Sequence, residues 1–117
     1  MSDERESRAT AYIRESISFI ERDVHSDPQA LDDIGRATTR CIMWSLFTMP
    51  DGTTKLSDEL EARHPEIEWP AIRGFRNLAA HVYEGLRLHQ VRAIVTDALP
   101  PLKAVVEAEL AALPRDR

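Results

Sequence analysis

The chain has 117 residues, of which 43% are apolar and 30% charged, the values of an ordinary water-soluble globular protein. This length predicts a single domain over residues 1–117 with its own core. No apolar run approaches the roughly 18 residues that a membrane span requires, and the first ten residues are too charged for a signal peptide. Cys41 is the only cysteine, which excludes an intrachain disulfide. A cytoplasmic protein is therefore expected.

The formal net charge of −5 argues against a protein that coats nucleic acid without sequence preference. The charge is unevenly distributed, however. Residues 70–92 contain four arginines and one glutamate, which gives this segment a charge of +3 and leaves −8 on the rest of the chain. We therefore expect a phosphate group to bind at this basic segment and not elsewhere.

Two long helices are predicted in the first half of the chain. Over residues 3–24 apolar side chains recur at three- and four-residue spacing, which is the pattern of an amphipathic helix; they are Tyr12, Ile13, Ile17, Ile20 and Val24. Asp27 and Pro28 suit the N-cap and the first position of a second helix. That helix is predicted over residues 28–49, with apolar residues on or near one face.

A break and two further helices follow. Residues 50–54, Pro-Asp-Gly-Thr-Thr, are the clearest interruption in the sequence. A short acidic helix is predicted over residues 55–63. A fourth helix is predicted to begin at Pro70 and to end near Gly85 or Leu86.

The last helix is predicted to begin near His89, and Pro100 and Pro101 would kink or split it. No run with a period of two residues is long enough to indicate a strand. The sequence therefore predicts an all-α fold, a bundle of four to five helices.

The predicted fourth helix has two different sides at about 100° per residue. The side expected to face the core consists of Ala71, Ile72, Phe75, Leu78, Ala79, Val82 and Leu86. The polar side carries Arg76, Asn77, His81 and Tyr83, and Asn77 and His81 stack at a spacing of four. An obligate cation beside a side chain that titrates near neutral pH is what phosphodiester cleavage needs without a metal.

One exposed helix face is convex and cannot enclose a substrate, so a second surface must pack beside it. A two-fold symmetric contact would place each motif opposite its copy and form a cleft with two His81 and two Arg76 side chains. The chemistry of the motif therefore predicts a homodimer.

The same residues resemble the HepT-like branch of the HEPN superfamily, the toxin half of bacterial toxin–antitoxin pairs. That family's pattern is an arginine, four residues, a histidine, any residue and a tyrosine. It is present here as Arg76, His81 and Tyr83, with Asn77 as the polar residue after the arginine. Flanking matches are residues 64–69 (His-Pro-Glu-Ile-Glu-Trp), 72–75 (Ile-Arg-Gly-Phe) and 94–100 (Ile-Val-Thr-Asp-Ala-Leu-Pro).

The resemblance implies an all-α homodimer that cleaves RNA and uses neither a metal ion nor a cofactor. It implies that Arg76 and His81 are catalytic and that Asn77 supports them. It also implies a partner, a cognate nucleotidyltransferase antitoxin of the MntA type. This partner would transfer AMP from ATP to Tyr83, and the added phosphate and base would exclude RNA from the site.

One segment departs from the family's pattern. The family has an uninterrupted second helix with an Ile-Gly-Glu-Ala-like stretch, whereas residues 44–52 here are Trp-Ser-Leu-Phe-Thr-Met-Pro-Asp-Gly. The family's glutamate has no evident counterpart in this segment. A second hypothesis therefore stays open, a catalytically inactive HEPN interaction module that binds a partner nucleotidyltransferase.

The candidate residues also have structural interpretations. Arg76 and His81 can be solvated or interhelical polar residues, and Tyr83 can be an interface aromatic. Cys41 is predicted to be a buried small hydrophobe. For Trp44 and Phe47 core packing is favoured, and a place in the dimer interface is the alternative.

The other polar residues are given structural roles. The spacing of the remaining histidines suggests no metal site, so they are predicted to be surface or capping residues; they are His25, His64 and His89. An acidic run is predicted to be solvated surface, although it could also dock a basic partner; it consists of Asp58, Glu59, Glu61, Glu66 and Glu68.

Overall fold

The computed structural model describes residues 2–80 and 88–113. These residues form the helices α1 (Ser2–Ser26), α2 (Ala37–Thr48), α3 (Pro50–Thr53), α4 (Asp58–Ala62), α5 (Trp69–Ala80), α6 (Leu88–Ala93) and α7 (Leu99–Ala111). A π-helical segment, Ile94–Ala98, joins α6 to α7. No strand occurs within these two ranges, and the predicted all-α fold is confirmed. None of the helices in this part of the chain has the length and apolar character needed to cross a bilayer.

The first helix is the element on which the others pack. Helix α1 contacts α2, α3 and α7, and Ile13, Ile17 and Ile20 on its inner side are completely buried. Burying one such side chain stabilises the fold by about 1.5–3 kcal/mol. The prediction of a helix over residues 3–24 is confirmed, because the isoleucine spacing that predicted it is the spacing that the core uses.

The second helix begins later than predicted. It starts at Ala37 and not at Pro28, and turns occupy the chain between α1 and α2. Asp27 is not a helix N-cap, because turns and not a helix follow it. Its carboxylate accepts hydrogen bonds from the Gln29 N–H at 3.2 Å, from the Arg36 side chain at 2.9 and 3.1 Å, and from the Thr38 hydroxyl. These bonds, those of Arg36 above all, hold the pKa of Asp27 below its usual value. Asp27 therefore ties the end of α1 to the start of α2.

The predicted break at residues 50–54 is largely helical. The Met49 N–H donates to the Ser45 carbonyl oxygen at 2.9 Å, and Pro50 takes the first position of α3. Proline is tolerated there because its missing N–H would have no partner inside the new helix. The chain thus turns from α2 into α3 without an extended loop, and this turn brings α3 against α1 and α5.

Gly52 is required where α3 crosses α1. A Cβ atom at this position would lie 2.9 Å from Ile13 Cγ1 and 3.3 Å from the Ala9 carbonyl oxygen. We expect Gly52→Ala to lower the free energy of unfolding by about 1–3 kcal/mol, the usual effect of overpacking a core, as measured by urea denaturation.

The matched control is Gly74→Ala in α5. A Cβ atom there would meet nothing within 4 Å, and alanine in an exposed helix is favoured over glycine by about 0.5–1 kcal/mol. The two variants should therefore change stability in opposite directions. Equal or reversed effects would show that α3 does not pack on α1 as described.

Helices α4 and α5 lie in the predicted parts of the chain, but their first and last residues differ from the predicted ones. Helix α4 is shorter than residues 55–63, because the Ser57 hydroxyl caps its start by accepting the Leu60 N–H at 3.0 Å. Helix α5 begins at Trp69, one residue before Pro70. Its predicted end near residue 85 or 86 lies outside the described residues.

The inner side of α5 is narrower than predicted. Ile72 and Phe75 are buried and Leu78 is partly buried, but Ala71 is exposed. The other residues predicted for this side are 79, 82 and 86, and the structure does not describe their side chains. The described part of α5 therefore has its predicted orientation, and it contacts α2 and α3.

Pro100 and Pro101 do not split the last helix. The backbone widens into a π-helical turn immediately before them, and the Leu99 N–H donates to the Ile94 carbonyl oxygen, five residues back. Prolines have no N–H to donate and crowd the preceding turn, and a wider turn accommodates both within a continuous helical path. Helix α6 is already formed at Leu88, the first residue described after residue 80, so its start near His89 stays a prediction.

Candidate functional site

The structure describes two of the four motif residues. Arg76 and Asn77 lie on the exposed face of α5, as predicted. His81 and Tyr83 lie outside the described residues. The geometry of the site is therefore the geometry around Arg76 and Asn77.

The guanidinium of Arg76 is held between a carboxylate and an aromatic ring. Arg76 Nη1 donates to Asp51 Oδ1 at 2.7 Å, and Arg76 Cζ lies 4.8 Å from the centroid of the Phe47 ring. The side chains of Arg76 and Asp51 are 52% and 57% exposed. Such a pair contributes only about 0–1 kcal/mol to stability, so its main consequence is orientation of the guanidinium.

This arrangement leaves Arg76 able to bind an anion. Arginine carries five N–H donors in a planar fork that matches phosphate. Within the described part of the chain, one of them is engaged, by Asp51. The remaining donors and the exposure of the side chain suit a charge-assisted contact with a phosphate oxygen.

Asp51 was not identified from the sequence. The segment 44–52 was expected to lack an acidic residue for the site, but α3 places the Asp51 carboxylate on Arg76. A proline followed by an acidic residue is a common start of a helix, and this local signal was available. The sequence gives no signal that Asp51 would contact Arg76, which lies 25 positions later in the chain.

Asn77 points away from the Arg76 cluster. It lines a shallow cavity of about 360 Å³ together with Leu78, Gln90 and Ile94. Consecutive residues on a helix project about 100° apart, so Arg76 faces α2 and α3 whereas Asn77 faces α6. Asn77 is therefore placed beside α6 and not beside Asp51.

An exposed aromatic surface adjoins Arg76. The surface, called here the Trp44 face, consists of Phe19, Cys41, Trp44 and Phe47. Trp44 is 65% exposed and Phe19 40% exposed, and the Trp44 and Phe47 rings lie 5.8 Å apart. The favoured core position of Trp44 and the burial of Cys41 are both wrong, since both residues are exposed. Phe47 is partly buried and connects this face to Arg76.

The acidic segment and His64 have structural contacts. Glu109 on α7 accepts hydrogen bonds from Arg63 at 2.8 Å and is 2.6 Å from His64 Nε2, and the Arg63 contact above all lowers the pKa of Glu109. Glu61 pairs with Arg73 on α5. These contacts tie α4 to its neighbours. Among the described residues no group of three or more His, Cys, Asp or Glu is arranged to hold a metal ion.

A family model described as HepT-like (Ribonuclease HepT-like) matches residues 9–109. The matched range begins within α1, ends within α7 and includes the four motif residues. No solved structure matches the chain.

Proposed function

Because the chain belongs to the ribonuclease HepT-like family, we propose that it is a metal-independent RNA endonuclease and the toxin of a toxin–antitoxin pair. The observation that carries the proposal is the state of Arg76, which is exposed, oriented by Asp51 and Phe47, and provided with donors for a phosphate. Phe47 and Asp51 both belong to the stretch that departs from the family's pattern. That departure therefore supplies Arg76 with two contacts.

In the proposed reaction, the 2′-oxygen of a ribose forms a bond with the neighbouring phosphorus and the bond to the 5′-oxygen breaks. The products are a 2′,3′-cyclic phosphate and a free 5′-hydroxyl. One His81 removes the proton of the 2′-hydroxyl, and the partner subunit's His81 gives a proton to the leaving 5′-oxygen. Arg76 stabilises the charge that builds up on the non-bridging oxygens. Asn77, on the side of α5 that faces α6, orients the imidazole or the phosphate.

The direct test is incubation of the purified protein with an unstructured RNA in the presence of EDTA. Unpaired RNA is the appropriate substrate, because a cleft between helices admits a splayed strand more easily than a duplex. Cleavage that yields 2′,3′-cyclic phosphate ends supports the proposal. An intact RNA, together with normal growth of cells that produce the protein alone, would favour the interaction module.

The homodimer forms, in this proposal, through the Trp44 face. An apolar surface that contains a largely exposed tryptophan is typical of a protein interface. The stacking of Phe47 on Arg76 places the border of this face at the motif. A two-fold contact there would bring two copies of Arg76 to the edge of one cleft.

We expect Trp44→Asp to weaken the dimer at least about thirtyfold, the effect of losing an interface hot spot. RNA cleavage should fall with the dimer fraction. Sedimentation velocity over a range of concentrations measures the change, and the exposure of Trp44 means that the monomer should still fold.

Leu113→Asp is the control for this variant, because Leu113 is an exposed apolar residue at the end of α7 and outside the Trp44 face. It should dimerise like the parent. A parent protein that is monomeric at every concentration, or a Trp44→Asp protein that remains dimeric, would contradict the proposed interface.

Control of the toxin by its partner is the final part of the proposal. A nucleotidyltransferase antitoxin transfers AMP to the Tyr83 hydroxyl, and pyrophosphate leaves. We expect intact-mass spectrometry of the protein co-produced with that partner to show the mass of one AMP, located on Tyr83. A Tyr83→Phe protein should stay unmodified and toxic in the presence of the partner. AMP found on Tyr12 and not on Tyr83 would contradict the proposed site of modification.

A further inference from the structure

A second basic region, separate from residues 70–92, lies where α1 meets α3. An open cavity of about 580 Å³ is bounded on one side by α1 and on the other by α3 and the turn after it. Its lining includes Arg5, Arg8, Tyr12, Asp51, Gly52 and Lys55. The volume is within the range of sites that bind small molecules or parts of larger ligands.

The cations of this cavity are available to an anion. Arg8 pairs with Glu4 at 3.1 Å, but these side chains are 76% and 81% exposed, so the pair is weak and easily exchanged. Arg5 and Lys55 form no ion pair with any carboxylate among the side chains that the structure describes, which begin at Glu4. In a chain of net charge −5, a cavity that gathers three cations is a local site for phosphate groups.

Tyr12 adds an exposed aromatic ring to the lining of the cavity. It is a large aromatic side chain, 41% exposed, on the same helix as Arg5 and Arg8. It was predicted to belong to the apolar side of α1, but its ring borders the cavity. Cations that follow a phosphate backbone, combined with an aromatic ring on which a base can stack, are the elements of single-stranded RNA binding.

The cavity and Arg76 share one residue. Asp51 lines the cavity, and its carboxylate binds Arg76. Counted together with Arg76, the cavity has four cations against the carboxylates of Asp51 and Glu4, so its local charge stays positive. A strand that has a phosphate at Arg76 can therefore continue past Asp51 to Lys55 and the start of α1.

We infer that this cavity is a substrate subsite that binds the single-stranded RNA flanking the phosphate to be cut. Its cations contact the backbone and Tyr12 stacks on a base. The inference rests on the proposed function for the identity of the ligand. It explains how an acidic protein can hold an RNA strand beyond a single arginine.

The experiment compares an unstructured 20-nucleotide RNA with a dinucleotide as substrates of the double variant Arg5→Ala/Arg8→Ala and of Tyr12→Ala. For each variant, kcat/KM for the long RNA divided by kcat/KM for the dinucleotide should be about tenfold or more lower than for the parent. The change should come from a higher KM for the long RNA. The slope of log affinity against log salt should decrease by about 1.4 in the double variant, since each contact with a single strand contributes about 0.7. Arg14→Ala is the control, because Arg14 lies on α1 and pairs with Glu107.

Binding is measured separately from cleavage, by fluorescence anisotropy of the labelled 20-nucleotide RNA with each change placed in a His81→Ala background. Weaker binding by the cavity variants supports the subsite even if the parent cuts neither RNA, an outcome that would reject only the proposed nuclease. Unchanged binding, ratio and salt slope would overturn the subsite while leaving the nuclease intact. Competition by AMP that is as strong as competition by the long RNA would also overturn it, in favour of a mononucleotide site.

Discussion

Replacement of Arg76 by alanine is expected to lower kcat/KM for RNA by about 10²–10³-fold, with most of the loss in kcat. The guanidinium is the group placed to meet negative charge on the phosphate, and removal of one such preorganised donor has effects of this size. Arg76→Lys should recover only part of the activity, because an ammonium group keeps the charge but loses the planar two-pronged contact. Initial rates on a fluorogenic RNA measure both variants.

Arg73→Ala is the matched control. Arg73 lies on the same exposed face of α5 and also pairs with a carboxylate, but its partner is Glu61 on α4 and not Asp51. The control should cleave RNA like the parent. The Arg76–Asp51 pair is exposed on both sides, so Arg76→Ala should not alter the free energy of unfolding by more than about 1 kcal/mol. Arg73→Ala leaves the mostly buried Glu61 carboxylate without its partner and should lower the free energy of unfolding by about 1–3 kcal/mol. Parental activity in Arg76→Ala would exclude Arg76 from the catalytic group.

His81→Ala is expected to lower kcat by about 10²–10⁴-fold, the usual contribution of general acid–base catalysis. The parent should show a bell-shaped dependence of kcat on pH, because the mechanism needs one imidazole deprotonated and the partner subunit's imidazole protonated. His81→Ala should lose the bell-shaped pH dependence as well as most of its kcat. A series of initial rates across pH 5 to 9 at saturating RNA makes the measurement.

For this variant His89→Ala is the comparison, since His89 is an exposed histidine on α6, close in sequence to the motif. It should retain the parental rate and the parental pH profile. If His81→Ala and His89→Ala both cleave RNA normally, the motif histidine has no catalytic role. The proposed reaction would then need a different acid and base.

The outer and inner sides of α1 and α5 could be predicted because helical periodicity is a local property. Ile13, Ile17 and Ile20 repeat at the interval that one side of a helix requires, and all three are buried. The same argument placed Ile72 and Phe75 inside and Arg76 outside. Periodicity gives the direction of a side chain, however, and not the identity of its neighbour.

The start of the second helix could not be predicted in this way. Asp27 and Pro28 have the local character of a helix start, but the Asp27 carboxylate is used by Arg36, nine residues later, and by Thr38. This competing set of bonds depends on a turn that brings α1 and α2 together. Local propensity was therefore outweighed by contacts between two elements.

The sequence by itself determined the helical class, the basic segment around the motif and the membership of a family, because these depend on residue spacing along the chain. Only the tertiary structure decided that Asp51 binds Arg76, that Trp44 is exposed beside Phe47, and that cations from two distant segments share one cavity. Each of these depends on how α1, α2, α3 and α5 pack, and packing joins residues whose separation in sequence carries no signal of their contact.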